Sequence, residues 1–216
     1  CYEKTLAIDP SYFDGLHKKG IALAHLGNLQ EAISIFDQAL EIEPNNVQVL
    51  VSRAITTSRL RNHKEAILLY DRVLADNPNY FDAMYNKGLA LIEIGQYENA
   101  LSCLDKTLEV DPCHANVLLA KGRCLASLGK HQLATSYYEK SLEFSPQQSE
   151  ALYELGCSLL QADKKSEALE CFDKAITINS VFDDAILQKA KKLRAIEIRT
   201  QRAADFNLAQ ISKIPD

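Results

Sequence analysis

Six cysteines and five histidines are the side chains of this chain best suited to metal binding, redox work or nucleophilic attack. The cysteines are Cys1, Cys103, Cys113, Cys124, Cys157 and Cys171, and no two of them have CxxC spacing. Structural zinc sites and dithiol centres are built from such pairs, so neither is expected. His17 and His25 are eight residues apart and share one face if the segment is helical. No cysteine stands near them, and two histidines alone make a poor metal site. Cys113 and His114 are adjacent in what reads as a turn, again short of a ligand set. No glycine-rich loop that would cradle phosphate is present, and no nucleophile stands with a base and an orienting acid. The chain is expected to be no enzyme, with no catalytic residue, no metal site and no cofactor.

These residues are accounted for by a period. Pro10, Pro44, Pro78, Pro112 and Pro146 stand 34 residues apart, and only Pro215 is out of phase. A small residue recurs at Gly20, Ala54, Gly88, Gly122 and Gly156, and an alanine at Ala32, Ala66, Ala100, Ala134 and Ala168. A large apolar residue recurs at Phe36, Tyr70, Leu104, Tyr138 and Phe172. Cys103 and Cys171 fall in the column of Ile35, Leu69 and Tyr137, which makes them apolar fillers. His63 and His131 fall in the column of Leu29 and Tyr97, which makes them packing residues. A fixed spacing of this kind means one structural unit copied along the chain.

Residues 11–44 show what one unit is. Leu16, Lys19, Gly20, Leu23 and Leu26 carry three-and-four spacing, one face of a helix. Gly27 and Asn28 interrupt the pattern, and Ala32, Ile33, Phe36, Ala39 and Leu40 resume it. Pro44 ends the second stretch, because the residue before a proline is driven out of helical dihedrals. Asn28 with Glu31, and Asn62 with Glu65, read as N-caps with a reciprocal acid. The unit is two helices of about 13 residues, each roughly 20 Å long. Gly20 and Ala32 sit where the helices cross, leaving no bulk there, and Phe36 fills the space beside the crossing.

Met84, Gly88, Leu91, Tyr97, Ala100, Leu104 and Pro112 carry a specific pattern, and on it the chain resembles the tetratricopeptide repeat (TPR) family. The resemblance covers residues 1 to about 196 and recurs five times. The second copy is the weakest: Ala54 replaces the glycine, Thr57 a large residue, and Arg61-Asn62-His63 the glycine turn. It implies an all-α fold, a right-handed superhelical solenoid of antiparallel helix pairs in 34-residue TPR units. The expected organisation is a second-helix remnant at 1–10 and five units at about 11–44, 45–78, 79–112, 113–146 and 147–180. A C-terminal capping helix at 181–203 and a tail at 204–216 complete it. Starting on Cys1 and half a unit, without an initiator Met, the chain reads as part of a longer array continuing upstream.

In this family the first helices line a concave groove, so its residues are those on the outer face of each first helix. One column reads His17, Val51, Tyr85, Leu119, Tyr153, and another Ile21, Ile55, Leu89, Arg123, Cys157. The expected partner-binding residues are Val51, Ile55, Tyr85, Asn86, Leu89, Ile92, Leu119, Arg123, Tyr153 and Leu160. Apolar anchors with a mixed polar rim suit a peptide or helical segment of a protein partner. Some of these side chains equally fit packing against the next unit. Two better-defined TPR functions do not fit. A clamp for a C-terminal carboxylate needs Lys, Asn and Arg where this chain has His17, Ile21, Ser52 and Asp82. A ladder of asparagines needs more than the single Asn86 in the column Lys18, Ser52, Asn86, Ala120, Glu154.

Net charge is −5, which gives no general attraction to nucleic acid or anionic lipid. No run of 18 apolar residues is present, so no membrane span is expected. Residues 185–202 hold six Lys or Arg and one acid, Glu197, with nothing aromatic interleaved to stack bases; a solvated cap is the expected role. Unpaired cysteines point to a cytoplasmic or nuclear setting. The expected function is a protein-interaction scaffold. The alternatives are a targeting or regulatory region of a larger enzyme, and self-association through exposed array ends.

Overall fold

The computed structural model describes residues 12–178, together with Ala195. Helices α1 (Phe13–His25) and α2 (Leu29–Ile42) form a pair, as do α3 (Val47–Arg59) and α4 (His63–Asp76). The pairs α5 (Phe81–Glu93) with α6 (Tyr97–Val110), α7 (Ala115–Ser127) with α8 (His131–Phe144), and α9 (Ser149–Gln161) with α10 (Lys165–Ile178) follow. Among the described residues there is no strand, and the fold is an all-α solenoid of helix pairs. The expected remnant at 1–10, the capping helix at 181–203 and the tail at 204–216 lie outside the described residues, apart from Ala195. The chain forms two compact units: α1 to α6 belong to the first, which ends at Pro112, and α7 to α10 to the second, which begins at Cys113.

The turn inside each pair needs one residue with left-handed backbone. Gly27, Gly95 and Gly129 supply it with φ of 86°, 76° and 75°. Arg61 and Asp163 occupy the same repeat position with φ of 64° and 58°. A side chain there costs about 1 kcal/mol, which glycine avoids. The turn geometry therefore persists where its preferred residue is missing.

The close crossing is a glycine against a ring in the first, fourth and fifth pairs. A Cβ at Gly156 would lie 2.7 Å from the Phe172 ring, and one at Gly20 or Gly122 would run into Phe36 or Tyr138. Gly88 faces the smaller Leu104, 3.0 Å from where its Cβ would stand. All four partners are fully buried, as are Ala32, Ala66, Ala100, Ala134 and Ala168. Burying one such ring contributes about 2–3 kcal/mol. Leu40 packs against both the cluster around Phe36 and the cluster around Tyr70, which joins the first pair to the second.

The expected caps form elsewhere. Asn28 and Asn62 stand at N-cap positions, but neither side chain accepts a backbone N–H. The Asn62 amide instead donates to Glu65 Oε2 at 2.6 Å, and Lys164 meets Glu167 at 3.2 Å from the same two repeat positions. Side-chain caps appear on first helices: Asn46 Oδ1 accepts from Val49 N–H at 3.2 Å, and His114 Nδ1 accepts from Val117 N–H at 3.4 Å. His114 is thus committed to a helix end.

Candidate interaction face of the first helices

Polar links between successive pairs hold the first helices in place. Arg53 on α3 bonds Asp37 on α2 at 2.6 Å and Glu65 on α4 at 2.9 Å. Burial opposes the Arg53 charge, but those two bonds outweigh it and raise its pKa above the ordinary value. Lys87 repeats the link to Asp71, one unit on, at 2.5 Å. Arg59 donates to the Ala24 carbonyl in the last turn of α1 at 2.8 Å, and Arg72 to the Pro44 carbonyl in the turn after α2 at 2.7 Å. In the second unit Gln148 Nε2 donates to Asn116 Oδ1 at 2.6 Å, and Ser141 donates to the Ala115 carbonyl at 2.8 Å. This framework was missed from sequence. The signal was a base sixteen residues after an acid, at 37 and 53 and again at 71 and 87.

The ten expected binding residues fall on two units, each with its own face. Val51, Ile55, Tyr85, Asn86, Leu89 and Ile92 lie on α3 and α5; Leu119, Arg123, Tyr153 and Leu160 lie on α7 and α9. Val51 and Leu119 are only 6 % and 5 % exposed, so they pack beneath the face and offer a partner little surface. Ile55 is 36 % exposed, and Tyr85, Asn86, Leu89, Ile92, Tyr153 and Leu160 are partly exposed. Arg123, with a side chain 45 % exposed, meets Glu154 at 3.5 Å. The Tyr153 ring lies 5.8 Å from the Phe172 ring, so one side of it is engaged in packing. The first unit thus presents a row of Ile21, Ile55 and Leu89 on consecutive first helices, while Arg123 and Cys157 hold that column in the second.

Two polar side chains beside the apolar row, His17 and Asn86, have partners within the fold. His17 Nε2 lies 3.0 Å from Ser52 Oγ and links α1 to α3, and burial holds the His17 pKa below its ordinary value. The Asn86 amide nitrogen donates to the Asp82 carbonyl at 2.8 Å. Burial pushes the Cys124 thiol up to about 11 and raises Cys103 and Cys171, which disfavours the reactive thiolate at these three positions. Among the described residues no group of three or more His, Cys, Asp or Glu is placed to hold a metal. No helix there is long and apolar enough to cross a membrane.

Stacked helix pairs with a left-handed turn and a glycine-to-ring crossing define a helical repeat protein. Comparison with known proteins gives the family. The model of the Psidin N-terminal TPR repeats region matches residues 59–159, and the tetratricopeptide repeat model matches 13–46 and 149–180. The chain is a TPR protein. Among solved structures, MamA (41-end) from Desulfovibrio magneticus RS-1 is 23 % identical, with a TM-score of 0.70 over 79 % of this chain and 97 % of that one. TTC0263, a thermophilic TPR protein in Thermus thermophilus, is 22 % identical, with a TM-score of 0.70 over 85 % and 99 %. YrrB, described as a TPR protein with an unusual peptide-binding site, is 23 % identical, with a TM-score of 0.66 over 89 % and 98 %. At these identities the likeness is one of fold. No curated protein gives a significant match.

Proposed function

We propose that the chain is a protein-interaction scaffold that holds a peptide or helical segment of a partner against its first helices, in the concave groove of the TPR fold. The observation that carries this reading is the row Ile21, Ile55 and Leu89. These aliphatic side chains keep exposed area on consecutive first helices. Isolated exposed apolar residues need no explanation, whereas aligned ones suit an interface. YrrB, a neighbour in fold, is described as having a peptide-binding site, which supports the same direction. Ile55, Tyr85, Asn86, Leu89, Ile92, Arg123, Tyr153 and Leu160 are the proposed contact residues, with Val51 and Leu119 supporting them from below. Affinity capture with wild-type protein and with Ile55→Asp tests it. A partner retained by the first and lost by the second supports the groove. Equal retention of all partners contradicts it.

A further inference from the structure

The second pair, α3 with α4, is poorly built inside and richly tied outside. Thr57 stands where the other pairs have Leu23, Leu91, Leu125 and Leu159. It is 1 % exposed, and its hydroxyl is buried with no hydrogen-bond partner. The pair thus gives up the apolar burial of a leucine and adds an unsatisfied polar group. Its turn sets a side chain, Arg61, in the left-handed backbone region that glycine fills in the first, third and fourth pairs. Asp163 shares that strain in the fifth pair, but only the second pair carries both defects.

The ties compensate. Residues 12–112 contain four arginines, Arg53, Arg59, Arg61 and Arg72, and all four belong to the second pair. Each donates outside it. Arg53, with a side chain 16 % exposed, reaches Asp37 on α2 at 2.6 Å. Arg59 reaches the Ala24 carbonyl of α1 at 2.8 Å. Arg72 takes the Pro44 carbonyl and the Asn45 side chain, both at 2.7 Å. Arg61 reaches Glu93 on α5 at 2.8 Å. No other described pair has arginine at any of these four repeat positions. A charge-assisted bond from a mostly covered arginine is among the stronger polar links, whereas the exposed Arg61 link contributes little.

We infer that the second pair is a conditional element of the array: its arginine links to the first pair keep it folded, and without them it opens as a unit and parts α1–α2 from α5–α6. Hydrogen exchange on the full chain reads the pairs separately, because an amide reports the opening of the segment that holds it. Three variants are compared with wild type. Arg53→Met/Arg59→Met removes two links, Thr57→Leu/Arg61→Gly repairs the core and the turn, and the third combines all four changes. Circular dichroism checks that each is helical. Removing the links should speed exchange in α3 and α4 by about tenfold and leave α5 and α6 within about twofold. The repair should slow α3 and α4 by about tenfold in wild type and return the link variant to wild-type protection. An equal loss in α5 and α6, or a link variant unfolded throughout, overturns an opening confined to one pair. Unchanged exchange of α3 and α4 in the link variant overturns the role of the arginines. A repair that leaves α3 and α4 no slower in wild type overturns the internal weakness, and that variant reads it whatever the link variant does.

Discussion

In the fourth helix pair the Tyr138 ring packs on Gly122, while in the second pair Tyr70 stands at the same repeat position opposite Ala54. The fourth pair turns through Gly129 at φ 75°, the second through Arg61 at φ 64°. Beneath the outer face the two pairs agree, since Val51 and Leu119 are both buried. On the face they disagree outright, with Ile55 in one and Arg123 in the other. The packing positions vary only within what the geometry tolerates. The outward positions change chemical class. That contrast separates residues that build the pair from residues the packing leaves free to vary.

The largest effect tests the shared part. Ala66 and Ala134 are both fully buried at the crossing. Ala66→Glu or Ala134→Glu would bury an unpaired charge and cost several kcal/mol, about 3–5. Thermal unfolding of both variants measures it, and a wild-type transition in either pair would break the equivalence.

The crossing itself comes next. Gly122→Ala drives a Cβ into the Tyr138 ring, a cost of about 1–3 kcal/mol for overpacking. In the second pair the direction reverses: Ala54→Gly should destabilise by about 0.5–1 kcal/mol, because that pair is already built around a methyl group. Urea midpoints read both, and a neutral Gly122→Ala would mean that the two pairs cross alike.

The turn effects are smaller and opposite in sign. Gly129→Ala should lose about 1 kcal/mol, and Arg61→Gly should gain up to about 1 kcal/mol by relieving the left-handed side chain. The Arg61–Glu93 pair lies on the surface and offsets little of that gain. A destabilised Arg61→Gly would show that the side chain, not the backbone, holds the second turn.

Smallest is the tyrosine hydroxyl. Tyr138 OH is buried with no hydrogen-bond partner, and burial raises its pKa. An unsatisfied buried hydroxyl is a net cost, so Tyr138→Phe should be neutral or stabilise by up to about 1 kcal/mol. Phe36 and Phe172 already fill this position elsewhere. A clear loss of stability on denaturant titration would reveal an ordered water or ligand on that oxygen.

Sequence periodicity was enough to read the helix pairs, because Gly20, Ala32 and Phe36 repeat at a spacing that only a copied unit explains. The departure at Arg61 was visible as a missing glycine, but its retained left-handed backbone was not, since backbone angle is set by the whole turn. Caps were misplaced. Asn62 and Glu65 have the right types and spacing, yet their side chains prefer each other, while Asn46 and His114 cap without any acid three residues on. The Arg53–Asp37 and Lys87–Asp71 links escaped notice because they run between helices, where helical periodicity gives no register. The candidate face was legible as columns. The burial of Val51 and Leu119 was not, because a column states which helix position a residue holds and not how deeply its neighbours cover it.

The most direct test of the interaction face pairs two readings on one protein. Tyr85→Ala with Leu89→Ala removes two partly exposed side chains from α5. Partner affinity, measured by titration against whatever partner Ile55→Asp fails to capture, should fall by about 2–4 kcal/mol, while the melting temperature moves little. Unchanged affinity, or a large loss of stability, would contradict the account and return both side chains to packing between helices.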